Sequence, residues 1–313
     1  MNEFELLGRL TPLLPSNPSV VAGAGDDCAI LDFGLADRWL LFKSDAVVEG
    51  VHFTAGTPPA KVGHKALGRC LSDVAAMAGA PTAALVTLGL PPSFEVSCVE
   101  GIYEGMGALA RRHEVAIVGG ETTTNPERMW VSVALLGWVA RGQAVLRSGA
   151  EPGDALFVTG ELGGSLGGKH LEFEPRLAEA RWLAGHFPIH AMLDLSDGLA
   201  GDLRHILGAS KVGAELLSAS IPISAQARRA AKGRSSAKPP LLAALTDGED
   251  FELLFTVAGS QAVPLLDAWK AQFPALRLTC IGKITAQEGL LIRDKHGARA
   301  LTDHGYEHFA QSR

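Results

Sequence analysis

Four times along this chain an apolar, strand-like run meets small residues and an acid. These are Ser44-Asp45 after residues 39–42, Gly120-Glu121 after residues 115–118, Asp194 with Asp197 after Leu193, and, in reverse order, Glu249-Asp250 before Phe251. A fifth acidic loop, Gly23-Ala24-Gly25-Asp26-Asp27, is rich in glycine. Acids at strand ends beside small neighbours can point into a cleft without filling it. Carboxylates gathered in that way repel strongly unless cations lie between them. Hard cations such as Mg2+ take oxygen ligands and bridge a few carboxylates to substrate phosphates. The pattern therefore asks for a fold whose separate strands deliver their ends to one place, and it implies metal if the acids converge.

Strands and helices alternate throughout, the mark of a mixed α and β fold. Residues 64–78 read as a helix, with Leu67, Cys70, Leu71, Val74 and Ala78 at helical spacing. A second helix is expected over 99–112, and strands over 115–118 and 131–139, the latter apolar on both faces. At 147–154 the texture becomes turn-rich, with Pro152-Gly153 marking a reversal before an apolar strand at 155–158. This places a domain boundary near residue 145, between units of 1–145 and 146–313. In the second unit a helix is expected after Gly198 and a strand over 251–257. Residues 226–240 carry Arg228, Arg229, Lys232, Arg234 and Lys238 among Ala, Ser, Gly and Pro, and read as a flexible, solvated loop.

At 313 residues there is room for two domains of ordinary size. A hydrophobic share of 47% with 20% charged residues is the balance of a globular protein with a substantial core. The formal charge of −6 weighs against a nucleic-acid surface. It suits a site that gathers acids, and equally a generally acidic surface. Cys28, Cys70, Cys98 and Cys280 lie far apart with no CxxC pair, so no zinc motif or disulfide framework is present. The first ten residues lack the basic and apolar character of a signal peptide. Nothing approaches the ~20 apolar residues of a membrane span. The expected setting is the cytoplasm, with neither membrane nor nucleic acid as a partner.

Taken singly, each acid also fits a turn former or helix cap, as Asp26 beside Gly25 and Asp197 before Gly198 do. Asp73 differs. It sits inside an apolar helix among Cys70, Val74 and Met77, and a partly buried aspartate needs a partner, either a cation or a backbone amide. Residues 163–169 have the spacing of a phosphate-binding Walker A loop, but His170 stands where that motif needs Ser or Thr to hold Mg2+. The segment reads as a glycine-rich turn.

Taken in order, these pieces resemble the thiamine-monophosphate kinases. The resemblance is carried by Gly25-Asp26-Asp27-Cys28-Ala29, by Ser44-Asp45 with Gly50-Val51-His52-Phe53, and by Leu71-Ser72-Asp73-Val74-Ala75-Ala76-Met77. It continues through Gly119-Gly120-Glu121-Thr122-Thr123, Arg147-Ser148-Gly149-Ala150, Asp194-Leu195-Ser196-Asp197-Gly198-Leu199 and Gly248-Glu249-Asp250-Phe251-Glu252-Leu253. The ending Gly305-Tyr306-Glu307-His308-Phe309 completes it, so nearly the whole chain is covered. The resemblance implies an α+β, two-domain fold similar to aminoimidazole-ribonucleotide synthetase, with an N-terminal mixed α/β domain that dimerises through its sheet and a C-terminal α/β domain. It implies transfer of the γ-phosphate of ATP to thiamine monophosphate, with ATP as co-substrate, several Mg2+ ions and a homodimer. Carried over motif by motif, Asp27, Lys43, Ser44, Asp45, Asp73, Glu121, Asp194 and Asp197 belong to the metal site. Gly120, Glu121, Arg147 and Ser196 would contact ATP, and His52, Glu249 and Tyr306 the thiamine phosphate. Asp45 and Arg147 take the catalytic roles.

Two positions depart from that family's pattern. Glu121 stands where Asp is usual, and Lys43 where a small hydroxyl residue is common. An ammonium group beside Mg2+ is unfavourable, so only the backbone carbonyl of Lys43 is expected at the metal. The acceptor, a phosphate monoester with a second pKa of about 6, is already largely ionised and needs no general base. Other ATP-using enzymes of the same fold, and a non-catalytic nucleotide-binding dimer, remain alternatives. The chain ends Gln311-Ser312-Arg313 without the terminal cysteine of the hydrogenase-maturation dehydratase, and Cys28 follows the acid pair, which does not suit selenophosphate synthetase.

Overall fold

Two long strands with apolar residues on both faces set the frame of the first half. The structure is a computed structural model that describes residues 3–233 and 238–306. Glu307, His308 and Phe309 of the terminal motif, and Arg234 of the basic stretch, lie outside the described residues. The first half runs α1 (Glu3–Leu10), β1 (Val20–Ala22), β2 (Ala29–Leu31), β3 (Arg38–Val48), α2 (Pro59–Ala76), β4 (Ala80–Leu90), α3 (Val96–Arg112), β5 (Ala116–Thr124) and β6 (Trp130–Ala140). Its six strands form one sheet in the order β1-β2-β3-β6-β4-β5. Strand β3 pairs with β6 along its whole length, from Arg38 opposite Ala140 to Val48 opposite Trp130.

Helix α2 covers one face of this sheet. It starts at Pro59, whose fixed φ and missing N–H suit a first helical turn, so it begins five residues earlier than apolar spacing alone suggests. Leu67, Cys70, Leu71 and Val74 are fully buried beneath it. Each such leucine stabilises the fold by about 1.5–3 kcal/mol. α3 crosses α2 at very close range: a Cβ on Gly63 would lie 1.9 Å from the Ile102 carbonyl oxygen. Only glycine permits that approach.

The second half runs β7 (Asp154–Thr159), α4 (Leu177–His186), β8 (Ile189–Asp194), α5 (Leu199–Ser210), β9 (Gly213–Leu217), α6 (Ala225–Gly233), α7 (Pro240–Thr246), β10 (Leu253–Ala258), α8 (Ala262–Gln272), β11 (Leu278–Thr285), β12 (Gly289–Asp294) and β13 (Gly297–Ala300). Its sheet has the order β13-β12-β9-β11-β7-β10-β8. Strands β7 and β10 are buried on both faces, which explains their unbroken apolar runs. One apolar core joins the halves, with Phe157, Met192, Leu253 and Phe255 in the same cluster as Leu67, Val74 and Met106. No helix among the described residues is long and apolar enough to cross a membrane.

Three expectations are corrected here. Strand β5 does not stop at Gly119-Gly120-Glu121 but runs on to Thr124. A Cβ on Gly120, whose φ is +153°, would fall 1.7 Å from the Val86 carbonyl oxygen, so this glycine lets β5 lie against β4. Likewise β3 passes through Lys43-Ser44-Asp45 to Val48, which makes Asp45 and Glu121 mid-strand residues. Finally, residues 226–233 of the supposed flexible stretch belong to α6. Asp194 does end its strand.

Candidate active site

Helix α2 carries three charged residues at four-residue intervals, Lys65, Arg69 and Asp73, a spacing that places them along one face. That face looks across to β3 and to loops of the second half. Lys43 and Asp45 stand two apart on β3 and so project on the same side, towards α2. Lys43 Nζ is 2.8 Å from Asp73 Oδ1. Arg69 clasps Asp45 through Nε–Oδ2 at 2.7 Å and Nη2–Oδ1 at 3.2 Å. Burial opposes the Asp45 charge, but Arg69 and Lys43 outweigh it and hold this carboxyl below its ordinary range.

Three of the acids converge. Oxygens of Asp27, Asp73 and Asp194, one from each, lie within 4.8 Å of one another, and all three residues are buried. They arrive from the loop before β2, from α2 and from the end of β8. Arg147 Nη2 donates to Asp27 Oδ1 at 2.5 Å, and the Ser72 hydroxyl donates to Asp194 Oδ2 at 2.5 Å. Burial, with Asp27 adding to it, pushes the Asp194 carboxyl up to about 6. Asp27 Oδ2 is buried and has no hydrogen-bond partner among the described residues. Three converging hard oxygens with one bare lone-pair set fit a divalent cation.

A cleft beside the acids is lined by Val51, His52, Arg69, Leu166, Ser196, Asp197, Asp247, Glu249 and Tyr306. His52 Nδ1 accepts the Val48 N–H at 3.1 Å, which puts the ring proton on Nε2. Burial, reinforced by Arg69, pushes this imidazole down to about 4, so it is neutral near pH 7. Glu249 faces α2: it pairs with the fully buried Lys65, lies 2.8 Å from His170 Nδ1, and reaches Arg69 Nη1 at 3.4 Å. Burial lowers Lys65 to about 8 despite the Glu249 charge. Tyr306 is held by its backbone N–H, which donates to the Asp197 carbonyl at 2.8 Å.

The backbone alternates over residues 249–252. Glu249 and Phe251 both have positive φ, 54° and 50°. Such angles are strained for bulky side chains and persist where surrounding contacts enforce them. Glu249 enters the cleft. Asp250 accepts the Gly163 N–H at 2.9 Å and the Ser165 hydroxyl. Glu252 takes Arg176 through two 2.8 Å bonds, Lys169 at 2.8 Å and the Thr159 hydroxyl at 2.8 Å. The loop with Walker A spacing is thus pinned by carboxylates, with Lys169 bound to Glu252 and His170 beside Glu249.

Not every expected residue joins the cluster. Ser44 lies on the opposite face of β3 from Lys43 and Asp45, because strand side chains alternate, and its hydroxyl turns away from the acids. Glu121 is exposed on β5 and accepts its neighbour Thr122 N–H at 3.0 Å. Gly120 belongs to the same edge. Asp197 and Ser196 line the cleft rather than the group of three. Lys43 overturns its expectation: the ammonium itself points among the carboxylates. Sequence reasoning also passed over Lys65, Arg69, Ser72, His170 and Asp247. A signal existed for two of them, since charges at 65 and 69 share a helical stripe with Asp73.

The chain matches the family described as AIR synthase related protein, N-terminal domain, over residues 25–139. It is 40% identical to the thiamine-monophosphate kinase of Rhodopirellula baltica, over 87% of this chain and 86% of that one. It is 32% identical to the Bacillus subtilis thiamine-monophosphate kinase, over 99% of this chain and all of the other. A solved structure of AaThiL complexed with AMPPCP and TMP superposes with a TM-score of 0.84 at 31% identity, covering 98% of this chain and 97% of that one. A HypE–HypF complex shares the fold at 20% identity, with a TM-score of 0.76 over 96% of this chain and 99% of that one. With these relatives matched across almost its full length, the chain belongs to the thiamine-monophosphate kinase family.

Proposed function

We propose that this chain transfers the γ-phosphate of ATP directly to thiamine monophosphate, by in-line displacement at the acids of the cleft. The observation that carries this reading is the convergence of Asp27, Asp73 and Asp194, from three separate elements, beside a cleft holding His52, Arg69 and Glu249. Asp27, Asp73 and Asp194 would hold magnesium, with Asp45 next to them. Asp197 and, by resemblance, Glu121 and Ser44 are further candidates. When bound, magnesium neutralises charge on the reacting phosphates.

The chain's own residues account for the rest. Arg147, tied to Asp27, brings a permanent positive charge to the cluster and would steady the transferring phosphoryl group. Neutral His52 would donate from Nε2 to the acceptor phosphate. Arg69, already between Asp45 and Glu249, borders the same cleft. Tyr306 would lie against the thiamine rings. Gly120, Glu121 and Ser196 are assigned to ATP on the resemblance alone. No side chain needs to act as a general base, because the acceptor oxygen is already anionic.

The sheet of the first half has one uncovered face, on which Phe42, Leu85 and Trp138 are exposed at 48%, 49% and 36%. Their partners in register, Leu136, Ala134 and Leu40, continue an apolar surface. We take this face as the homodimer contact, since contiguous apolar patches mark interaction sites. The domain boundary near residue 145 falls between the last strand of one sheet at Ala140 and the first of the other at Asp154. A cytoplasmic setting belongs to the same reading. The deciding experiment measures ADP release with thiamine monophosphate, free thiamine, formylglycinamidine ribonucleotide and selenide in parallel. Release driven by thiamine monophosphate alone is expected; a response only to another acceptor overturns the assignment.

A further inference from the structure

The acid cluster is nearly neutralised by the protein's own cations. Around Asp27, Asp45, Asp73 and Asp194 stand Arg147, Arg69 and Lys43, each paired with one carboxylate. These three cations are not equivalent. Arg69 is fixed at two ends, by Asp45 and Glu249. Arg147 has its backbone N–H on Asp26 at 3.2 Å as well as its guanidinium on Asp27. Among the described residues the Lys43 ammonium has a single partner, Asp73 Oδ1 at 2.8 Å, and the side chain keeps 24% exposure. A flexible four-carbon stem with a route to water can withdraw, whereas the Arg69 guanidinium, held by two carboxylates, cannot.

We propose that the Lys43 ammonium is a tethered, displaceable cation of the Asp27–Asp73–Asp194 cluster, holding Asp73 in place until a divalent ion takes that oxygen. Two charges cannot share it: a divalent ion on Asp73 would stand a few ångströms from the ammonium, a repulsion that even an effective dielectric of ~20 leaves at several kcal/mol. The ammonium stands 2.8 Å from the very oxygen the ion would take, so the lysine side chain gives up that contact when the ion arrives. Metal binding at Asp73 is accordingly an exchange of one cation for another, and it is weaker than binding to the same acids without the lysine. The Asp27 Oδ2 oxygen, with no partner among the described residues, needs no such exchange.

The inference rests on reading the three acids as a metal site, and the test separates the two. The metal-free full-length chain and its Lys43→Met variant are titrated with Mn2+ by calorimetry and by the paramagnetic signal of free Mn2+. The variant is expected to bind at least tenfold more tightly, or to take up one more ion. Its metal-free form is expected to melt at a lower temperature than the parent, with a larger rise on adding Mn2+. Equal affinity and stoichiometry, within twofold, overturn the proposal while leaving the metal site intact. Absence of any Mn2+ binding by the parent chain overturns both readings. Should Lys43→Met not fold, lysine-selective NMR on the parent chain decides. The Lys43 ε-CH2 signal is expected to shift on adding Mg2+, and a signal that stays unmoved at saturation overturns the exchange.

Discussion

The Ser72 hydroxyl on α2 donates to Asp194 Oδ2 at 2.5 Å, so one hydrogen bond joins the two halves of the chain at the centre of the acid cluster. This bond favours the charged form of Asp194 against the burial that pushes it up to about 6. A protonated Asp194 cannot ligate a cation. Apparent Mn2+ affinity should therefore fall as pH drops through about 6, and Ser72→Ala should move that midpoint up by about one unit. Calorimetric Mn2+ titrations between pH 5 and 8 check both points; a midpoint unmoved in the variant would remove Ser72 from the site.

Asp73→Asn and Asp45→Asn should each abolish ADP release, with losses of at least about a hundredfold, while leaving a folded chain. Asp73 faces the converging group and Asp45 anchors Arg69 beside it. Steady-state ADP release, with circular dichroism as the folding control, is the measurement. Near-normal turnover in either variant contradicts the shared site.

Glu249 predicts an acid limit to stability. Burial alone would raise its carboxyl, but His170, Lys65 and Arg69 outweigh it and set it at about 2, below the ordinary 4.5. A depressed acid contributes stability that is present above its unfolded value and lost as pH falls through the folded one. The contribution is about 3 kcal/mol at neutral pH. Glu249→Gln should be less stable by roughly that amount at pH 7, and the gap should close between about 4.5 and 2. Urea unfolding across that range tests it; a gap independent of pH would assign Glu249 a purely steric role.

Leu85→Asp on the open sheet face should leave the fold intact, since Leu85 is already 49% exposed in a single chain, and should dissociate the proposed dimer. Sedimentation at micromolar concentration should give half the parent's mass. A variant of unchanged mass places the subunit contact elsewhere.

Much of this was legible from periodicity and order. Helix α2 and strand β6 follow from their apolar spacing, and Asp194 ends its strand as its neighbours suggest. Misread were the places where a short run of small residues looks like an end. At Gly119-Gly120 the glycines serve close packing against β4, a need that exists only once the two strands are paired. Lys43 and Asp45 continue a strand whose length is set by its partner β6, which lies some ninety residues away in sequence. Which acids meet was not readable either. Asp27, Asp73 and Asp194 come from three elements with no common local pattern, and their meeting depends on how α2 sits between two sheets. Lys65 and Arg69 were passed over because their partner Glu249 is remote in sequence.

The segment from Glu249 to Glu252 aims successive acids at separate destinations: α2, the glycine loop at 163–165, and the Arg176–Lys169 pair. Such a segment has no slack in its length. Deleting or inserting one residue there would displace these carboxylates from their partners, unseating the loop, stranding the half-buried Lys169 and Arg176 and emptying one wall of the cleft. A residue added at the exposed Gly297 turn between β12 and β13 would meet no comparable set of contacts.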